Sequence, residues 1–126
     1  MKGPFFVTQA AIPRLRDGGR ITTISSGRSK RPTGTTAAYY MAKAAVNTHI
    51  VMVAQELGCR GITANALAPG WTVTDQSGIV AVTALRRLGR PDDIASVAAF
   101  LASEEGRLVT RQYVEASGGF DLLAVR

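Results

Sequence analysis

Cysteine occurs once in this chain of 126 residues, at Cys59, which excludes an internal disulfide and fits a reducing cytosol. No stretch approaches the roughly 18 apolar residues of a membrane span, so no membrane contact is expected. The start, Met1-Lys2 and then apolar residues, has the outline of a secretion signal. Gln9, Pro13, Arg14 and Arg16 interrupt it, and no small-residue cleavage site follows. A soluble, cytoplasmic protein is the expectation. Histidine is also single. His49 has no second ligand candidate near it, and no group of His, Cys or carboxylates has metal-ligand spacing, so no metal site is expected. Internal repeats, linkers and low-complexity tracts are missing as well.

Acidic residues are the scarcer charge, 9 against 15 lysines and arginines, for a formal net charge of +6. Such a balance permits phosphate-rich partners. The basic residues are scattered, however, and the one short cluster, Arg28-Ser29-Lys30-Arg31, has no interleaved aromatics to stack on bases. Nucleic-acid binding is therefore not expected.

What is present is a hydrophobic content of 46%, enough for the core of one modest domain and too short a chain for two. Residues Phe6, Val7, Ala10, Ala11 and Leu15 make a helical stripe within 4–15 that ends at Asp17-Gly18-Gly19. A β-branched run over 20–25 reads as a strand, and the Gly-, Pro- and Ser-rich stretch 27–36 as a loop. Thr35 or Thr36 can cap a long helix over 37–57, with Ala44, Val46, Ile50, Val53 and Ala54 on its apolar face and Gly58 as its stop. A second strand is expected over 62–67, broken by Pro69-Gly70, with a mobile segment from Trp71 to about Leu85. Pro91 opens a helix over 92–101, with Asp92 and Asp93 at its positive end, and a last strand falls at 112–116. Helices alternating with short apolar strands imply a parallel α/β sheet covered on both faces.

Tyr39 and Lys43 are four residues apart on the long helix, so both side chains project from one face. An ammonium beside a phenol favours the phenolate, and a tyrosine so placed can act as a general acid or base. Ser26 ends the apolar run 21–26 where a strand opens into a loop, and its hydroxyl there can hold a substrate oxygen. By itself a Tyr-x-x-x-Lys pair is weak evidence, because most such pairs are one packed ring and one solvated amine. Tyr40, three residues from Lys43, is turned away by a helical step and reads as a packing or interface residue. Trp71 reads equally as a pocket wall or a packed loop residue.

The surroundings add more. Ser26 lies thirteen positions before Tyr39. Downstream come Asn65-Ala66-Leu67-Ala68-Pro69-Gly70, Thr74-Asp75, Arg87-Leu88-Gly89-Arg90-Pro91-Asp92-Asp93-Ile94-Ala95 and Ser117-Gly118-Gly119. In this order and spacing the chain resembles the short-chain dehydrogenase/reductase family, single-domain branch, over nearly its whole length. The resemblance is to the C-terminal half only. The family's Gly-rich phosphate-binding turn, its cofactor-selecting residue and its Asn-Asn-Ala-Gly segment have no counterpart here.

The resemblance implies a partial Rossmann-like doubly wound sheet, one domain over 1–126 with about three strands and flanking helices. It implies hydride transfer between NAD or NADP and a small-molecule carbonyl or alcohol. In that scheme Tyr39 donates or accepts the hydroxyl proton, Lys43 supports it and holds the nicotinamide ribose, and Ser26 binds the substrate oxygen. Pro69 and Gly70 would lie against the nicotinamide, with Thr72 in contact through its backbone and Thr74 through its hydroxyl. The segment between Thr74 and Arg87 is shorter than the family's usual substrate cover, and Arg111 stands where glycine is common, which bears on local backbone geometry. The family's long helix pairs with its copy, so a homo-oligomer through 37–58 is expected. The competing reading is a non-catalytic remnant serving as an interaction module; an epimerase or dehydratase relative fits the motifs less well.

Overall fold

The computed structural model describes residues 1–32, 34, 36–72 and 83–120. Three strands form one parallel sheet: β1 (Arg20–Ile24), β2 (Thr63–Pro69) and β3 (Tyr113–Ala116), in the order β1-β2-β3. The register pairs Arg20 with Thr63 and Ile24 with Leu67, then Ala66 with Tyr113 and Pro69 with Ala116. Helices α1 (Lys2–Ala11), α2 (Ala37–Leu57) and α3 (Pro91–Ala102) complete the chain. This is the parallel α/β sheet that the alternation of elements implies, in the partial doubly wound form that the resemblance implies.

Central β2 is buried from Thr63 to Ala68 without a break, so both of its faces are covered. Side chains alternate along a strand. Ala64 and Ala66 therefore meet Ile50, Val53, Ala54 and Leu57 of α2 in the main core, while Asn65 and Leu67 point to the opposite face. Asn65 is fully buried and satisfied: its side-chain amide donates to the Val109 carbonyl (2.7 Å) and its oxygen accepts the Gln112 N–H (3.0 Å). It thus clamps the segment that feeds β3. Within that segment Arg111 adopts φ 62°, a left-handed backbone that costs a non-glycine residue roughly 1–2 kcal/mol. Its N–H still donates to the Ala64 carbonyl at 2.8 Å, so the geometry is held by pairing with β2.

The bounds of α2 and α3 agree with the sequence within one or two residues, whereas α1 ends at Ala11 and continues as a 3-10 turn over Ile12–Arg14 rather than reaching Leu15. The cap of α2 falls on Thr36, but its hydroxyl makes no capping bond; the Thr36 carbonyl accepts the Tyr40 N–H instead, and Thr35 lies outside the described residues. Gly58 does not end the chain direction: a 3-10 turn runs through Arg60 and the left-handed residue is Gly61 (φ 66°). Arg60 fixes this turn by donating to the Ile12 and Leu15 carbonyls and to Asp17. Finally, the apolar stripe of α1 is not buried. Phe6 and Val7 are 58% and 69% exposed, and only Thr8 of this helix is buried. Val7 lines a groove of about 420 Å³ between α1 and β1, which pairs only with β2 among the described residues.

The start of α3 is set by charge. Arg87 forks onto Asp93 (2.6 and 3.0 Å), whose carboxylate also accepts the Arg90 N–H (2.7 Å), and Pro91 occupies the first turn. The Arg87 hydrogen bond, helped by the Arg90 backbone N–H, holds the Asp93 carboxyl down at about 2. No helix among the described residues is long and apolar enough to cross a membrane. No group of three or more His, Cys, Asp or Glu among them could hold a metal ion.

Candidate active site

Parallel strands deliver all their carboxyl ends to one edge of the sheet, where open α/β folds bind ligands. Here Ser26 follows β1, Pro69 and Gly70 end β2, and Ser117 to Phe120 follow β3. Ser26 and Tyr39 line one cleft of about 330 Å³, together with Arg28, Pro69, Gly70 and Trp71.

Ser26 is buried and its loop is tightly held. The hydroxyl accepts the Arg28 backbone N–H (3.3 Å), which caps a 3-10 turn over Gly27–Ser29. The Ser26 carbonyl accepts two hydroxyls, from Ser29 (2.7 Å) and from Tyr113 (2.9 Å). Burial pushes the Tyr113 phenol above its ordinary pKa, consistent with a neutral hydroxyl that donates to Ser26. Ser25 points away from the cleft's chemistry: its N–H donates to the Leu67 carbonyl (2.7 Å), and its hydroxyl bonds the Asn47 side-chain oxygen. Asn47 in turn donates to Ser29 (2.8 Å), so helix α2 braces the turn that carries Ser26.

Tyr39 lies in the first turn of α2 and is 48% exposed. Its phenol is therefore open to the cleft. Lys43 is not part of the cleft wall. Its ammonium donates to the Ile24 carbonyl at the end of β1 (2.9 Å) and stands 5.9 Å from the centre of the Tyr39 ring. The structure thus brings the phenol, the hydroxyl and the ammonium to one strand end. Tyr40 is 5% exposed, as a packing residue should be, yet it also walls the cleft, edge-on to Tyr39 at 5.9 Å. The helical step that turns it from Lys43 turns it inward.

Gly70 meets a steric demand. A Cβ there would lie 2.6 Å from the Ser117 side chain, so glycine lets the β2 and β3 ends close against each other. Thr72 is not in the cleft wall; its hydroxyl lies 3.4 Å from the Gly70 carbonyl and its backbone bridges to Gly89. Thr74 and the segment to residue 82 lie outside the described residues. Sequence reasoning had passed over Arg28, taken only as part of a basic cluster, and Phe120. Arg28 lies 5.4 Å over the Tyr40 ring and 5.8 Å over the Trp71 ring. The available signal was its place two residues after the candidate serine. Trp71 resolves as a cleft wall, packed edge-on to Phe120 at 6.3 Å.

A family model described as enoyl-(acyl carrier protein) reductase matches residues 1–121. An oxidoreductase of Methylorubrum extorquens is 41% identical over 93% of this chain and 52% of its own length. A short-chain type dehydrogenase/reductase of Picea abies is 40% identical, over 94% and 48%. Among solved structures, the landomycin C-6 ketoreductase with bound NADP and rabelomycin superposes with a TM-score of 0.87 at 38% identity. It covers 94% of this chain and 48% of its own. A blue fluorescent protein from a metagenomic library, in complex with NADPH, superposes at 0.89 and 38%, covering 95% and 52%. The chain spans about half the length of the curated relatives it matches. With the three-stranded parallel sheet and the ordered motifs at its carboxyl edge, these matches establish that the chain belongs to the short-chain dehydrogenase/reductase family.

Proposed function

We propose that residues 1–126 form one partial Rossmann-like domain, the catalytic and substrate-side half of an NAD- or NADP-dependent oxidoreductase acting on a small carbonyl or alcohol. The observation that carries this reading is the sharing of one cleft by Ser26 and Tyr39, with Lys43 one turn along the helix. The donors suit a nicotinamide nucleotide. They lie at the carboxyl edge of a parallel sheet, where Lys43 holds a single carbonyl that a ribose hydroxyl could replace. Pro69 and Gly70 supply a close backbone wall, and Thr72 and Thr74 follow it in sequence.

When bound, the nicotinamide supplies or takes the hydride. In reduction, Tyr39 gives its phenolic proton to the carbonyl oxygen; in oxidation it takes the proton from the alcohol. Ser26 already accepts a hydrogen bond from Arg28, so its own O–H is left to donate to the same substrate oxygen as charge builds there. Lys43 supplies positive charge beside the developing phenolate. Solved relatives bound to NADP or NADPH, and ketoreductases among them, support the cofactor class and the carbonyl substrate.

Homo-oligomerisation through 37–58 belongs to the same proposal. Met41 and Met52 of α2 are 71% and 62% exposed and stand about three turns apart on one face. A cytoplasmic location accords with the lone exposed Cys59.

Titration of the chain with NADH and NADPH, followed by reduced-nicotinamide fluorescence, tests the reading. Saturable binding weakened by Lys43→Ala is expected, with Tyr39→Phe retaining binding and losing at least about 100-fold in turnover. No binding at millimolar cofactor, with helicity intact, would instead leave an interaction module without catalysis.

A further inference from the structure

A second cavity, of about 380 Å³, lies between α2 and the β2–β3 pair, and shares no lining residue with the cleft that holds Ser26 and Tyr39. Val51, Ala66 and the Tyr113 ring give it an apolar side, while Lys30 and Arg111 bring two positive charges, with no carboxylate among the lining residues. The neutral polar groups there are already engaged. Asn47 donates to Ser29, the Thr48 hydroxyl to the Ala44 carbonyl, the Gln112 side-chain amide to the Thr110 carbonyl and the Tyr113 hydroxyl to the Ser26 carbonyl. The two cations are not. Both residues are exposed, and neither side chain has a hydrogen bond or an ion pair among the described residues. The Lys30 ammonium stands 4.0 Å from the centre of the Tyr113 ring, a contact that holds the charge at the cavity and leaves it N–H donors on the far side. Arg111 is fixed by its backbone, whose N–H donates to the Ala64 carbonyl at 2.8 Å. Its φ of 62° carries a strain that glycine would relieve, but glycine would remove the guanidinium with it.

From two free cations at one partly apolar cavity, we infer that this is a second binding site, which takes a phosphate monoester with an aromatic body. Arg111 supplies a planar fork for two phosphate oxygens and Lys30 a point charge. Near neutral pH the phosphate carries close to two negative charges, which the pair balances. The aromatic body would lie along Val51 and Ala66. The site uses none of Ser26, Tyr39 and Lys43, so it stands or falls apart from the oxidoreductase reading.

Calorimetric titration of the full chain with phenyl phosphate tests the site, repeated in Lys30→Gln, Arg111→Gln and Arg111→Gly. Arg107→Gln, which removes an exposed arginine outside the cavity, serves as the control for charge alone. The parent should bind one equivalent saturably, and each of the three cavity variants should lose at least about tenfold in affinity while Arg107→Gln binds as the parent does. Arg111→Gly separates binding from folding, because it relieves backbone strain and its melting temperature should not fall. If it does fall, Arg111→Gln decides by the same tenfold criterion. No saturation at millimolar phenyl phosphate, affinity unchanged in the Arg111 variants, or an equal loss in Arg107→Gln would overturn the inference. So would a loss in Lys43→Ala with the cavity variants unchanged, which would put the phosphate in the catalytic cleft.

Discussion

Strands β1 and β2 run side by side in the same sheet, and their burial differs sharply. β2 is buried along Thr63–Ala68, whereas every residue of β1 is at least partly exposed and Ile24 is 49% exposed. β1 carries Ile21, Thr22, Thr23 and Ile24, the more β-prone sequence; β2 has three alanines, a proline and a buried asparagine. Position in the sheet, not strand propensity, decides which of the two is core. The same contrast separates the two ends of the molecule. At the carboxyl edge, strand ends and α2 line one cleft, while α1 and β1 line a separate groove.

The largest effect should come from the most direct attack on this contrast. Leu67→Ala removes a fully buried side chain and should cost about 2–5 kcal/mol. Ile24→Ala, its partner in the register, should cost less than about 1 kcal/mol. Urea denaturation of both variants measures the gap, and equal losses would mean that the outer side of β1 is as covered as the centre. Next comes Asn65→Ala, which strands the Val109 carbonyl and the Gln112 N–H and should cost about 2–3 kcal/mol in the same assay.

A smaller effect of opposite sign is expected in the segment entering β3. Arg111→Gly relieves the left-handed strain but frees the unfolded chain, for a net gain of up to about 1 kcal/mol. A loss of stability would show that the Arg111 side chain matters more than its backbone.

The smallest effect concerns the exposed fork that starts α3. The folded Asp93 carboxyl sits at about 2, below its ordinary value, so its contribution is present above about pH 4 and lost as pH falls towards 2. The difference in melting temperature between the parent and Asp93→Asn should be visible at pH 6 and close by pH 2. A constant difference across that range would assign the fork no role.

Much of the architecture was legible along the chain. The bounds of α2, the proline start of α3 and the strand ends at Ser26 and at Pro69-Gly70 follow from local stereochemistry, which short sequence windows carry. The pairing of Tyr39 with Lys43 belongs to the same class. Arg28 was illegible as a cleft residue because its meaning depends on Tyr40 and Trp71, which arrive from another helix and another strand end. The exposure of Phe6 and Val7 was illegible for a related reason. An apolar stripe declares that a face seeks cover, but not whether the neighbouring strand supplies it.

The sequence by itself determined the alternation of helices and strands, the one-turn spacing of Tyr39 and Lys43, and the placing of Ser26 just past a strand, because each depends on residues within a few positions of one another. Only the tertiary structure decided that Ser26, Arg28, Tyr39 and Trp71 share one cleft. Parallel register carries the ends of β1 and β2 to the same edge, and long-range packing against α2 sets which side chains face each other there.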